Sequence, residues 1–199
     1  MRKSISDVID ALGRPSVASS DFDLNPEIQL PENRVLRPAA VLIAIQRHKL
    51  GDVVYLTKRA SHLKHHPGQI AFPGGKVDAT DFDTTAAALR EADEEIALDS
   101  SKLRVLGQLT NHETVTGFQV FPIVAEVTHP FIPRVDLNEV EEVFTVPLNY
   151  ILNPHNFRVE QRRWRGSWRK YYVVPYGPYY IWGATARMLF GLAQQVASA

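Results

Sequence analysis

The sequence predicts an α/β protein, a mixed β-sheet with helices packed on it. Three observations carry that prediction. Short apolar runs bounded by turn residues recur at residues 39–46, 53–58, 103–109 and 118–127, as strands do. Residues 84–97 instead show helical spacing in an alanine-rich, helix-favouring stretch. Strands come both as adjacent pairs and around that helix, which mixes antiparallel and parallel connections in one sheet. The 199 residues suffice for one domain with a proper core, and 45% hydrophobic with 22% charged residues is ordinary for a folded globular chain.

Residues 4–12 place Ile5, Val8, Ile9 and Leu12 at helical spacing, so a short helix opens the chain. Residues 13–32, rich in Ser, Asp, Asn and Pro, read as a linker or surface wrap. The core starts near Arg37, dividing the chain into a helix and wrap over 1–36 and a main domain over 37–199. Residues 39–46 and 53–58 form a hairpin about the turn at Gly51-Asp52, and residues 60–68 are a basic loop. Residues 70–72 are short and apolar, and they run into Pro73-Gly74-Gly75, expected to be a tight turn. Asp83 is the expected N-cap of the helix at 84–97. A further strand falls at 142–146, residues 164–172 and 179–182 pair as another hairpin, and 184–196 is a closing helix.

Composition excludes several functions. A formal net charge of zero removes the strongly basic field of a typical nucleic-acid binder. With no cysteine, disulfides, thiolate nucleophiles and cysteine-ligated zinc are excluded. The longest apolar run, residues 38–45, is far short of the roughly 20 residues of a membrane span, and residues 1–13 lack the apolar core of a signal peptide. A soluble cytoplasmic protein is expected. A homodimer is allowed but nothing demands one.

The chemistry concentrates between residues 74 and 98. At about 100° per residue, Glu91, Glu94 and Glu95 fall within an arc of roughly 100°, with Leu89, Ala92 and Ile96 on the other side. The apolar stripe can pack on the sheet while the carboxylates share one face. Like charges at these spacings cost a few tenths of a kcal/mol each. A solvated acidic face tolerates that cost. A hard divalent cation would turn it to use, since clustered carboxylates are its natural ligands and it grips phosphate oxygens. The glycines at 74 and 75 allow the backbone to come close.

Gly75, Arg90, Glu91, Ala92, Glu94, Glu95 and Leu98 together resemble the box of the Nudix hydrolases: Gly, five residues, Glu, seven residues, Arg-Glu, apolar, any, Glu-Glu, any, Gly, apolar. Asp81 stands where the first Glu is expected, Arg90 lies one residue further from Gly75, and Ala97 replaces the usual Gly. The resemblance implies a Nudix-like α/β/α sandwich and a Mg²⁺- or Mn²⁺-dependent hydrolase. It implies that Glu91, Glu94 and Glu95 bind metal, with Glu95 also a candidate base, and that Arg90 orients the acidic cluster through an ion pair. A further acid often lies outside the box. Glu139 is the first choice for it and Glu113 the second.

Upstream, residues 56–75, Leu-Thr-Lys-Arg-Ala-Ser-His-Leu-Lys-His-His-Pro-Gly-Gln-Ile-Ala-Phe-Pro-Gly-Gly, resemble the signature that precedes the box in coenzyme A pyrophosphatases. Residues 114–122, 138–148 and 181–186 look alike too, so the resemblance runs from about Arg37 to the last helix. It implies hydrolysis of the diphosphate of coenzyme A to 3′,5′-ADP and 4′-phosphopantetheine, or the acyl form. Independently, Lys58, Arg59, His62, Lys64, His65 and His66 put cations near the glycines, where Lys58, Arg59 and Lys64 can hold phosphates alongside Gly74 and Gly75. His65-His66 is no metal pair, because adjacent side chains point apart.

Two rival readings stand beside this one. The same enzyme class could act on ADP-ribose, dinucleotides or nucleoside triphosphates. A different class, a nucleic-acid-binding module, is suggested by Arg158 to Lys170, where Arg162, Arg163, Trp164, Arg165, Trp168 and Arg169 interleave charge and aromatic surface. A catalytically dead scaffold has little support, since all three box glutamates are present.

Overall fold

The computed structural model describes residues 3–31, 33–164 and 166–198. In chain order the elements are α1 (Ile5–Leu12), β1 (Ser19–Ser20), β2 (Arg37–Gln46), β3 (Val53–Arg59), β4 (Ile70–Ala71), β5 (Gly74–Lys76), α2 (Thr84–Ile96), β6 (Leu103–Gln108), β7 (His112–Glu113), β8 (Phe118–Val127), β9 (Val140–Pro147), α3 (Leu148–Ile151), β10 (Arg158–Trp164), β11 (Ser167–Tyr176), β12 (Tyr179–Trp182) and α4 (Gly183–Ala197). Strands β1 to β9 form one mixed sheet, and β10 to β12 a second, antiparallel one.

The centre of the large sheet is the parallel pair β2 and β8, in register from Arg37↔Phe118 to Gln46↔Val127. Strands β6 and β7 run antiparallel along the far side of β8. On the other side, β2 meets β3 only at Ile45↔Val54 and Gln46↔Val53. The predicted hairpin therefore forms at its turn, and then the strands part. Into the split come β4, paired with β3, and β5, paired with β2. Strand β9 covers the outer side of β3.

The tight turn expected at Pro73-Gly74-Gly75 is corrected. The chain bends at Pro73, and Gly74–Lys76 is an extended strand lying against Ala39, Ala40 and Val41. The glycine serves close approach, not chain reversal. A Cβ on Gly74 would run into the Ala40 carbonyl oxygen and lie 2.7 Å from Val41 Cα.

Both faces of the sheet are covered, as the side-chain alternation of β2 shows. Ala40, Leu42 and Ala44 join α2 in one apolar cluster, while Ala39, Ile43 and Ile45 join α1, α3 and α4 in the other. The second cluster holds Ile5, Val8 and Ala11 of α1 fully buried, each large side chain contributing on the order of 1.5–3 kcal/mol. Asp52, in the β2–β3 turn, accepts the free Ile5 N–H at 2.8 Å and so ties the start of α1 to the sheet.

Two expectations change elsewhere. Strands β11 and β12 pair as predicted, but β11 begins at Ser167, and a further strand, β10, pairs along its whole length. The sequence of β10, Arg-Val-Glu-Gln-Arg-Arg-Trp, lacks the alternation that marks a strand; its partner supplies the hydrogen bonds instead. Within the predicted wrap, Ser19–Ser20 forms a short parallel pairing with β7. It is fastened by Ser19 Oγ to His112 Nδ1 at 2.9 Å and His112 Nε2 to Asp21 Oδ1 at 3.2 Å. Among the described residues, no helix is long and apolar enough to cross a membrane.

Candidate active site

Helix α2 presents the acidic residues. Asp83 caps it as predicted, its Oδ1 accepting from Ala86 N–H at 2.7 Å. Ala87, Ala88 and Ala92 are fully buried against Ala40, Ala44 and Ala125, small residues that let helix and sheet lie close. The helix stops at Ala97, which takes a left-handed conformation at φ 58°. That explains the usual Gly at this position: only glycine enters the region without strain.

The three glutamates share a face, and only Glu94 on it is solvated. The Glu94 side chain is 61% exposed, Glu91 15%, and Glu95 is buried. Glu95 Oε2 accepts from the Gly74 N–H at 3.2 Å, so β5 reaches the helix directly. Gly75 lies against Glu91, where an added Cβ would stand 2.5 Å from Glu91 Cδ and 2.6 Å from Oε2. Side chain and glycine are fitted to each other, and any larger residue at 75 would displace the Glu91 carboxylate.

Arg90 is the hub. Its Nε and Nη2 each donate to Asp81 at 2.9 Å, Nη1 donates to Glu91 at 3.0 Å and Glu94 at 2.9 Å, and Nη2 reaches the Lys76 carbonyl at 3.2 Å. The Asp81 hydrogen bonds are the main cause that raises its pKa further above its ordinary value. The planar fork thus holds two glutamates and the loop at once. Asp81 therefore meets Arg90 bidentately despite being shorter than Glu. Between Asp81 and the start of the helix, Phe82 turns outward, 96% exposed.

Burial pushes Glu95 up to about 8, against the Gly74 hydrogen bond and the Arg59 charge that lower it. Burial raises Glu91 as well, opposed by Arg90. Buried carboxylates held above their ordinary range are short of positive charge, and all three donors are hard oxygens. The donor set fits a divalent cation. Among the described residues no three carboxylate or imidazole groups converge as a ready-made cage; Glu91 and Glu94 face Arg90, and Glu95 faces Gly74.

The remaining predicted residues divide. Arg59, at the end of β3, lies within electrostatic reach of Glu95 and His66, and its buried Nε has no hydrogen-bond partner. Glu139 lies within reach of Glu91 and Glu95 and raises both. Glu113 instead pairs with Arg34 at 2.6 Å on β7. Lys58 pairs with Glu141 at 2.6 Å, a partner the sequence reading did not name. Lys64 is exposed in the loop between β3 and β4. The signals missed were long-range: Glu141 is 83 residues from Lys58, and no local spacing reveals that pair.

Of the basic and aromatic stretch, Arg165 and the Trp164 side chain lie outside the described residues. Arg162 and Arg169 lie over the rings of Trp182 and Phe22.

Residues 35–165, more than half of the chain, match the family described as NUDIX domain. An uncharacterized Nudix hydrolase, NudL, of Enterobacter sp. is 41% identical over 160 residues, covering 80% of this chain and 83% of that one. A NudL of Salmonella paratyphi B is 42% identical over 161 residues with the same coverage. Among solved structures, the Nudix hydrolase RenU of M. smegmatis aligns with a TM-score of 0.50 at 20% identity, covering 60% of this chain and 81% of that chain, a likeness of fold. The nucleic-acid-binding reading gains no support from these matches. Nudix hydrolases in general use divalent metal ions, in keeping with the donors on α2. With a family match that spans strands β2 to β9 and relatives above 40% identity across four-fifths of its length, this chain belongs to the Nudix family and is a Nudix hydrolase.

Proposed function

We propose that the enzyme hydrolyses the diphosphate bond of coenzyme A or its acyl derivatives, with Mg²⁺ or Mn²⁺, giving 3′,5′-ADP and 4′-phosphopantetheine or its acyl form. The observation that carries this reading is the signature at residues 56–75 together with the place of Arg59 within it. A buried guanidinium Nε without a partner, beside the acidic helix, is suited to a substrate phosphate oxygen. Residues 37–199 would be the hydrolase domain, with 1–36 a helix and wrap upon it.

In this reading Glu91, Glu94 and Glu95 hold the cation, which supplies charge to neutralise the diphosphate and to acidify the attacking water. Glu95, the most buried of the three, would also serve as the base, a role its raised pKa supports. Arg90 keeps Glu91 and Glu94 in position through Asp81. Gly74 and Gly75 let the backbone approach the phosphates, and Arg59 and Lys64 bind them, with Lys58 joining if it exchanges Glu141 for phosphate. Glu139 is the further acid preferred over Glu113, because it lies within electrostatic reach of Glu91 and Glu95 while Glu113 is paired with Arg34. Most of the catalysis is positioning and charge neutralisation.

The test is chromatography of products from coenzyme A with Mg²⁺ or Mn²⁺, for the wild type and Glu95→Gln. Metal-dependent release of 3′,5′-ADP, reduced at least a hundredfold in the variant, is expected. Cleavage of ADP-ribose or a dinucleotide but not of coenzyme A would overturn the substrate and leave the hydrolase.

A further inference from the structure

We propose that Asp136 is a positioning residue of the active site, fixing Glu139 beside the buried end of the acidic helix. The proposal rests on the reading of Glu139 as the further acid and says what holds that acid in place. Glu139 is exposed and acts on Glu91 and Glu95 through its charge. With little packing to steady the side chain, the backbone decides where it stands.

Asp136 bonds in three directions. Its N–H donates to the Glu95 carbonyl oxygen at 3.0 Å. Its own carbonyl accepts from Glu139 N–H at 3.0 Å and from Val140 N–H at 2.8 Å. Its Oδ1 accepts from Asn138 N–H at 2.9 Å and from Asn138 Nδ2 at 2.8 Å. One residue thus ties the backbone of Glu95, whose carboxylate accepts from Gly74, to the backbone of Glu139.

Each link has a physical cause. The last carbonyls of a helix have no partner within it. Ala97 leaves α2 in a left-handed conformation, and the loop from β8 to β9 meets two of those carbonyls: Arg134 N–H donates to Ile96 at 3.1 Å, and Asp136 N–H to Glu95. Residues 136–139 form a turn closed by the bond from Glu139 N–H to the Asp136 carbonyl. Aspartate is favoured at the first position of such a turn because its side chain accepts from the residue two further on. Leu137, the second turn residue, is 70% exposed, so hydrogen bonds rather than packing give the turn its shape. From the other side, the Glu139 carbonyl accepts from Ala60 N–H at 2.8 Å, directly after Arg59. Glu139 therefore stands where the end of α2 and the end of β3 meet.

Packing holds this loop mainly towards its two ends. The Phe131 ring meets Tyr55 at 5.0 Å in the cluster on the α2 side of the sheet, and Val140 is fully buried. Between them, residues 136–139 are all exposed. A carboxylate carried on such a segment keeps its distance from a helix only through bonds of the kind Asp136 makes. A displacement of about 1 Å is costly to a catalytic group. A turn that served the fold alone would lower stability when broken, whatever residue stood at 139.

The experiment is a double-variant cycle on kcat and KM for the diphosphate that the wild type cleaves, at saturating Mn²⁺, with Asp136→Ala, Glu139→Gln and both together. Glu139→Gln is expected to lower kcat about a hundredfold, as loss of a general acid or base does. Asp136→Ala should lower kcat about tenfold and leave KM within about twofold, because the Ala60 bond still holds the Glu139 backbone. On the Glu139→Gln background, Asp136→Ala should cost nothing further. An equal loss on both backgrounds overturns the proposal, because a structural effect does not depend on Glu139. Asp136→Asn keeps the Oδ1 acceptor and should restore wild-type kcat; a loss equal to that of Asp136→Ala assigns the effect to charge and overturns the positioning role. Where Glu139→Gln is impaired, Asp136→Ala at wild-type kcat overturns it as well. If Glu139→Gln alone keeps wild-type kcat, the further-acid reading has failed, and calorimetric titration with Mn²⁺ decides the positioning by itself. Weaker Mn²⁺ binding in Asp136→Ala, with no further weakening on the Glu139→Gln background, sustains it; unchanged affinity, or equal weakening on both backgrounds, overturns it.

Discussion

Replacing Gly75 by Ala adds one methyl group where the structure has room for none. The new Cβ would stand 2.5 Å from Glu91 Cδ and 2.6 Å from Oε2, so the carboxylate must retreat by about 1 Å to reach ordinary contact. That retreat breaks its 3.0 Å hydrogen bond from Arg90 Nη1, a charge-assisted bond of about 1.5–3 kcal/mol. Alanine recovers about 0.5–1 kcal/mol of backbone entropy in a strand. Gly75 is not among the positive-φ glycines, so no backbone strain is added. The net loss of stability is then about 1–2 kcal/mol, a fall in Tm of several degrees for a chain of this size. Catalysis should suffer far more, because a 1 Å misplacement of a positioned group costs on the order of a hundredfold. The assay is kcat/KM for whichever diphosphate the wild type cleaves, at saturating metal, alongside a thermal melt. Gly13→Ala is the control: at φ −72° with its nearest neighbour, the Asp10 carbonyl oxygen, 3.7 Å from an added Cβ, it should leave activity unchanged and raise stability by about 0.4–1 kcal/mol. Activity of Gly75→Ala within threefold of wild type would refute the argument that Glu91 and this glycine are fitted to each other.

Two further outcomes are expected from stability measurements. Ala97→Gly relieves a left-handed alanine at the end of α2 and should stabilise the fold by about 0.5–1 kcal/mol, read as a shift in denaturant midpoint at constant m; a loss of stability would contradict the capping geometry. Glu126 is buried between Arg47, at 2.7 Å, and Arg104; burial pushes its carboxyl up, but the two arginine hydrogen bonds win and hold it below the ordinary value of 4.5. The stability it contributes is therefore fully present above about pH 4.5 and is lost as pH falls through the lowered folded value. Glu126→Gln should cost about 1–2 kcal/mol at pH 7 and progressively less as pH falls below 4.5, so a stability difference between variant and wild type that stays constant down to pH 2 would sink the assignment.

Much of the molecule can be read from residues alone because its signals are local. Helical periodicity locates α2, and apolar runs bounded by turn residues locate β2 and β8, since each signal is only a few residues long. Asp83 is recognisable as a cap for the same reason, and Glu91, Glu94 and Glu95 fall on one face by geometry alone. The motif adds the family, and the matches bear that out. What the chain does not disclose locally is how its strands are shared out. The split between β2 and β3, the use of Gly74–Lys76 as a strand, and β10 all depend on hydrogen bonds to partners distant in sequence. Chemistry followed the same division. The residue types of the acidic helix are written in order along the chain, whereas their burial is not: Glu95 is sealed by Gly74, Glu91 by Gly75, and Lys58 is matched with Glu141, all across the sheet. Dielectric environment and pairing are properties of the space around a side chain, and only the tertiary structure sets them.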